Sequence, residues 1–160
     1  MTVSEKVLLT QEGYNKLKDE LEYLVTVKRA ECSDKIRIAR GFGDLSENAE
    51  YDEAKDEQAK VESRIVEIEL QLKNVEIIDE NIKKNNKTVC IGDTVKVVDL
   101  NNKREMELMI VGTIEANIAE RKISNESPLG KALLNSKEGE TVEVKTKVSK
   151  LQYKVEKIIR

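Results

Sequence analysis

The chain has 160 residues, 37% of them charged and 3% aromatic, with no histidine, two cysteines and a formal net charge of −3. The charge is uneven, about −8 over residues 1–80 and about +5 over residues 81–160. That division argues against a protein that coats duplex DNA by counterion release, the lack of His leaves a zinc site almost nothing to use, and no run approaches the ~20 apolar residues of a membrane span. No apolar stretch follows a basic N-terminal segment, so no signal peptide is expected and a reduced, cytoplasmic setting is. Cys32 and Cys90 are read as small buried apolar residues.

Thr10 is placed to cap a first helix, with Leu9 before it and Tyr14 inside it as a hydrophobic staple. Apolar residues follow at Leu17, Leu21 and Leu24; the stripe shifts register near Val25 and resumes as Cys32, Ile36 and Ala39. Gly41 and Gly43 end the helix. A second helix carries Tyr51, Ala54, Gln58, Val61, Ile65, Ile68, Leu72 and Val75 at 3-4 spacing, a heptad seam. Asp56/Lys60 and Glu69/Lys73 are spaced as pairs on its outer face. The short link demands an antiparallel return, which brings Leu24 near Ile65 and Leu17 near Leu72. Helices of roughly 30 residues make the hairpin about 45 Å long. Ala39, Ala54 and Gln58 replace larger residues near the turn, predicting a thin and fairly mobile end.

Residues 81–87 are polar and read as a linker. Beyond them Thr94–Val98 and Glu105–Val111 read as strands joined at Asn101-Asn102, and Val89-Cys90-Ile91 as an apolar lead-in. Ser127 can cap a short helix with Pro128 at its first position. Thr141–Val144 and Leu151–Ile159 read as two more strands. The expected fold is α+β: residues 1–80 an antiparallel coiled-coil hairpin with an acidic tip at 41–50, and residues 81–160 an antiparallel β domain with one short helix.

The tip runs Gly43-Asp44-Leu45-Ser46-Glu47-Asn48. Asp44 and Glu47 have the spacing of a capping box, which accounts for both acids without a metal. The same spacing lets two carboxylates hold a magnesium ion that keeps most of its waters, provided a partner supplies further ligands. Lys35, Arg37, Arg40 and Lys55 form either a solvated face or a contact with an RNA backbone. Phe42 either packs under the turn or wedges into a partner.

Gly43 through Tyr51, followed by Ala54-Lys55 and Gln58, resembles the signature of the Gre family of bacterial transcript-cleavage factors, A type. The resemblance extends to Leu9-Thr10, Gly13-Tyr14 and Leu17, to Val111-Gly112-Thr113, and to Ile123-Ser124 with Ser127 through Leu134. It implies an FKBP-like fold for the C-terminal domain and a monomer that docks on bacterial RNA polymerase. The hairpin would enter the secondary channel, with Asp44 and Glu47 as catalytic, metal-holding acids that share Mg2+ with the polymerase. Backtracked RNA would then be cut and its new 3′ end placed at the active centre. Ser46 and Asn48 are implied to position the tip, Arg37, Arg40 and Lys55 to touch RNA, and Ser127, Pro128 and Leu129 to dock on the channel rim. The protein would be an accessory factor and not a self-contained enzyme. Lys147-Val148-Ser149 departs from the Pro/Gly turn common in the family, so the last hairpin is expected to differ in shape. Three rivals are a channel-binding inhibitor without cleavage, a chaperone or proline isomerase, and a coiled-coil adaptor. The intact acids oppose the first, the single aromatic Tyr153 in the C-terminal half opposes the second, and the third leaves the tip without a purpose.

Overall fold

The computed structural model describes residues 6–43, 48–79 and 87–160. The chain divides into two compact units, Tyr14–Asn74 and a second that joins Met1–Gly13 to Val75–Arg160.

Helix α1 spans Gln11–Tyr23, and Thr10 caps it as expected: its hydroxyl accepts from the Gly13 N–H at 3.0 Å. A π-helical turn, Leu24–Lys28, leads into α2, Arg29–Arg40. This turn explains the register shift near Val25. Continued 3-4 spacing from Leu24 would bury Lys28, Glu31, Lys35 and Ile38, yet Ile38 is 53% exposed and Ala39 3%. Cys32, Ile36 and Ala39 each fall one residue late, and one inserted residue is what a π turn adds. Within it the Thr26 hydroxyl donates to the Glu22 carbonyl at 2.7 Å, so that carbonyl keeps a partner.

Helix α3, Ala49–Lys73, returns antiparallel and buries Ala54, Val61, Ile65 and Ile68. Cys32, Val61 and Ile65 cluster with Leu21 and Leu24, so the expected approach of Leu24 to Ile65 is found. Burial pushes the Cys32 thiol pKa up, with Glu57 adding to the shift, so the thiolate is disfavoured there. Among the described residues the Asp56/Lys60 and Glu69/Lys73 pairs do not form; ion pairs instead cross the hairpin, as in Arg29–Glu62, Lys35–Glu57 and Arg64–Glu20, or join residues three apart, as in Lys28–Glu31. Arg29 grips Glu62 through two bonds of 2.7 Å, and Arg64 reaches Glu20. These pairs are exposed, so they fix the register of the helices more than they stabilise them.

In the other unit, β3 (Thr94–Asp99), β4 (Arg104–Val111), β5 (Lys122–Ser124), β6 (Thr141–Lys145) and β7 (Lys150–Ile159) form one sheet, ordered β5-β4-β3-β7-β6. Val89, Val95, Val97, Ile110, Leu133 and Val155 are wholly buried, and alternation along β3 supplies Val95 and Val97 from one face. The sheet is mixed where an antiparallel one was expected. Strand β5 runs parallel to β4, pairing Ile110 with Ile123. Two short helical turns, Thr113–Glu115 and Ile118–Glu120, carry the chain back for this crossover, and Arg121 takes φ 58° to re-enter the sheet. Two further strands sequence reasoning passed over, β1 (Val7–Leu9) and β2 (Val75–Ile77), pair parallel to each other in this unit. Three residues are too few for a hydrophobic period to show.

Helix α4, Pro128–Leu133, has the expected cap, Ser127 accepting from the Gly130 N–H at 3.0 Å. The final hairpin closes without Pro or Gly. The Thr146 hydroxyl donates to the Ser149 carbonyl at 2.8 Å and accepts from the Ser149 N–H at 3.0 Å, a side-chain substitute for turn glycine. No helix among the described residues is long and apolar enough to cross a membrane.

Candidate functional site at the neck of the hairpin

Asp44, Leu45, Ser46 and Glu47 lie outside the described residues, and with them the capping-box, metal-holding and Ser46 readings. The neck on either side is described. Helix α2 closes with the Gly41 N–H on the Ile38 carbonyl at 2.9 Å and the Phe42 N–H on the Ala39 carbonyl at 3.2 Å. Gly43 has φ 102°, a left-handed value that glycine adopts without the Cβ penalty. Phe42 is 68% exposed, so it does not pack under the turn.

Asn48 does two jobs. Its backbone is extended, φ −90° and ψ 92°, and its side-chain oxygen accepts from the Tyr51 N–H at 3.1 Å, capping α3. Its amide nitrogen donates to the Ala39 carbonyl at 2.7 Å, a carbonyl of the last turn of α2 that also accepts from the Phe42 N–H. One side chain thus bonds to the first turn of α3 and the last turn of α2 and ties the two helix ends together. Glu50 and Asp52 add negative charge to the first turn of α3, where the helix dipole favours it. An Asn just before Ala-Glu-Tyr is a legible cap signal; its second bond, across nine residues, is not.

The neck carries opposite charge on two grooves. One, of about 410 Å³, is lined by Ser33, Ile36, Arg37, Arg40, Lys55 and Gln58. It gathers the three cations the sequence singled out as RNA contacts. Arg37 sits 3.4 Å from Asp34, and Lys55 donates to Gln58 at 2.8 Å. Lys35 belongs to the other groove, of about 300 Å³, which also holds Glu50, Glu53 and Glu57. There Lys35 donates to Glu57; the bond raises the lysine pKa and holds the Glu57 carboxyl below the usual carboxylate range. Glu50, Glu53 and Glu57 were not anticipated as a group, because helical spacing alone does not separate a working face from a solvated one.

Among the described residues no group of three or more His, Cys, Asp or Glu is disposed to hold a metal ion. In the sheet unit Ser127 is half-buried, and its hydroxyl also donates to the Ser124 carbonyl at 2.7 Å. Pro128 is exposed, and Leu129 packs partly on the sheet core. Of the three expected docking residues, Pro128 alone is fully presented. Tyr153 is 9% exposed inside that core, so the sheet unit has no aromatic wall of the kind an isomerase pocket needs.

Residues 7–77 match the family model described as transcription elongation factor, N-terminal, and residues 84–160 the model for transcription elongation factor, GreA/GreB, C-term. The chain is 53% identical to transcription elongation factor GreA of Caldanaerobacter subterraneus, over 99% of this chain and 100% of that protein. It is likewise 53% identical to transcription elongation factor GreA of Thermoanaerobacter pseudethanolicus, over 96% of this chain and 97% of that one. Among solved structures, GreA factor homolog 1 of Thermus thermophilus aligns over 98% of this chain and 100% of its own, at 27% identity and a TM-score of 0.44. With two family models covering both units and relatives matched end to end at this identity, the chain belongs to the GreA/GreB family of transcription elongation factors and is of the GreA type.

Proposed function

We propose that this elongation factor enters the secondary channel of bacterial RNA polymerase, tip first, and stimulates the polymerase's own cleavage of backtracked nascent RNA. The observation that carries the reading is the neck: a seven-residue segment, Gly41–Glu47, contains both tip acids and is bounded by helix ends that one side chain, Asn48, ties together. The helical run from Gln11 to Arg40 is about 45 Å long, a reach that suits a deep channel.

In this reading Asp44 and Glu47 would hold a magnesium ion jointly with the polymerase. The donor chemistry fits in part: two carboxylates are hard oxygen ligands suited to Mg2+, too few to hold it tightly alone. Magnesium bound there supplies charge neutralisation at a phosphodiester and a more acidic coordinated water. The chain's own residues do the rest. Asn48 fixes where the acidic segment ends, with Ser46 contributing from within it. Arg37, Arg40 and Lys55 offer cations to the RNA backbone as it passes. Glu50, Glu53 and Glu57, on the other groove, repel phosphate and bias the RNA to the basic side. Ser127, Pro128 and Leu129 dock on the channel rim, with Pro128 making the outermost contact. The factor acts as a monomer in the cytoplasm.

Mixing the purified protein with a backtracked elongation complex tests this. It should leave free RNA intact and stimulate magnesium-dependent cleavage of polymerase-held RNA. Binding without cleavage would support the inhibitor alternative, and cleavage of free RNA would make the protein an enzyme in its own right.

A further inference from the structure

Glu115 ends the short helical turn after β4. Its carboxylate accepts from the Thr10 backbone N–H at 2.8 Å and from the Thr10 hydroxyl at 2.6 Å, across 105 positions of sequence. That hydroxyl in turn accepts from the Gly13 N–H at 3.0 Å. Thr10 alone caps the helix; the remote acid adds charge-assisted bonds to a residue that has already done so. The surroundings are cut to fit. A Cβ on Gly13 would stand 2.2 Å from the Glu115 carboxyl carbon, and one on Gly112 would stand 1.9 Å from the Leu8 carbonyl oxygen. The same turn reaches the docking segment: the Thr113 hydroxyl lies 3.2 Å from that of Ser124, whose carbonyl accepts from Ser127.

From this chain of bonds we infer that Glu115 is a positioning residue, a latch that holds residues 10–13, the start of the tip-bearing helix, in place within the sheet unit. Docking by the sheet unit then fixes the root of the helix, and the latch converts binding into correct delivery of the acids. This inference rests on the tip-insertion reading above. A bond that only stabilised the fold would change affinity and melting together; a latch changes the cleavage rate at saturation and leaves half-saturation alone.

The test uses the full chain on backtracked complexes, titrated to saturation. Glu115→Ala should lower the saturating cleavage rate about 10-fold, as misplaced catalytic groups do, while the half-saturating concentration stays within about 2-fold. Thr10→Ser, which keeps the hydroxyl, should cut like the parent. Thr10→Val should match Glu115→Ala, and the two combined should be no worse than either alone. Amide exchange should quicken at Thr10 and Gly13 in Glu115→Ala and stay unchanged at Val97 and Ile110. An unchanged saturating rate, or a loss confined to half-saturation, overturns the latch. Should Glu115→Ala fail to fold, Glu115→Gln, which keeps one acceptor oxygen, decides: a several-fold slower saturating rate upholds the latch and a parental rate overturns it. Asp44→Asn runs alongside. If it cuts normally, the tip reading itself fails; if it is inactive while Glu115→Ala cuts normally, only the latch is wrong.

Discussion

In the sheet unit seven aliphatic side chains, from Val89 to Val155, are wholly buried, whereas at the neck of the hairpin the buried side chains are Ile36, Ala39 and Ala54. At ~25 cal/mol per Å² of apolar surface, alanines contribute little. The neck keeps its shape through directed bonds instead: the Asn48 bridge, the caps and the Lys35–Glu57 pair. Mass in one region and hydrogen bonds in the other leave the outer surface of the neck, with its two grooves and exposed Phe42, available to a partner.

The contrast can be broken by mutation. Ile110→Ala should destabilise the sheet unit by about 2–5 kcal/mol, read by urea unfolding; a cost below about 1 kcal/mol would mean that unit does not rest on its core. Asn48→Ala should cost about 1 kcal/mol through the lost cap and reduce cleavage several-fold. Asn48→Asp sharpens the point, since it keeps the acceptor for Tyr51 and loses the donor to Ala39: stability should recover while cleavage stays low. Full recovery of both would reduce Asn48 to a cap.

Acid should loosen the hairpin next. Hydrogen bonds from Lys35 and Arg29 hold the Glu57 and Glu62 carboxyls below their unperturbed value of 4.5. A depressed folded pKa means the contribution is complete above the unfolded value and lost as pH falls through the folded one. Helical melting should therefore be flat from pH 6 to about 8 and decline below about pH 4.5. Glu57→Gln should blunt that decline, and a melt equally acid-sensitive in Glu57→Gln and Glu62→Gln would place the titrating groups elsewhere. Smallest of all, Arg37→Ala, Arg40→Ala and Phe42→Ala should each shift stability by under about 0.5 kcal/mol. The two arginine changes should still slow rescue of stalled complexes; unchanged rescue would return that groove to a solvated face.

Much of this was legible in the sequence. The seam read from Tyr51 to Val75 gave α3 up to Lys73, with Val75 starting β2 instead of closing the helix, and Ser127-Pro128 gave α4, because periodicity and caps are local signals. The register slip at Val25 was visible as a pattern, but its cause, a π turn, depends on hydrogen bonding that spacing does not encode. Strands β1, β2 and β5 have three residues each, too few to show a period, and the β1–β2 pairing and the Glu115–Thr10 bond join residues far apart in the chain. Arg37, Arg40 and Lys55 were chosen for charge alone, and the fold gathers them in one groove. Lys35, chosen on the same ground, falls in the other groove against Glu57.

The most direct measurement is the cleavage rate of polymerase-held, backtracked RNA at saturating Asp44→Asn/Glu47→Gln factor. A tip that lends its carboxylates predicts a rate at least about 100-fold below the parent, with polymerase affinity nearly unchanged. Cleavage at the parental rate by that doubly neutralised tip would contradict the account.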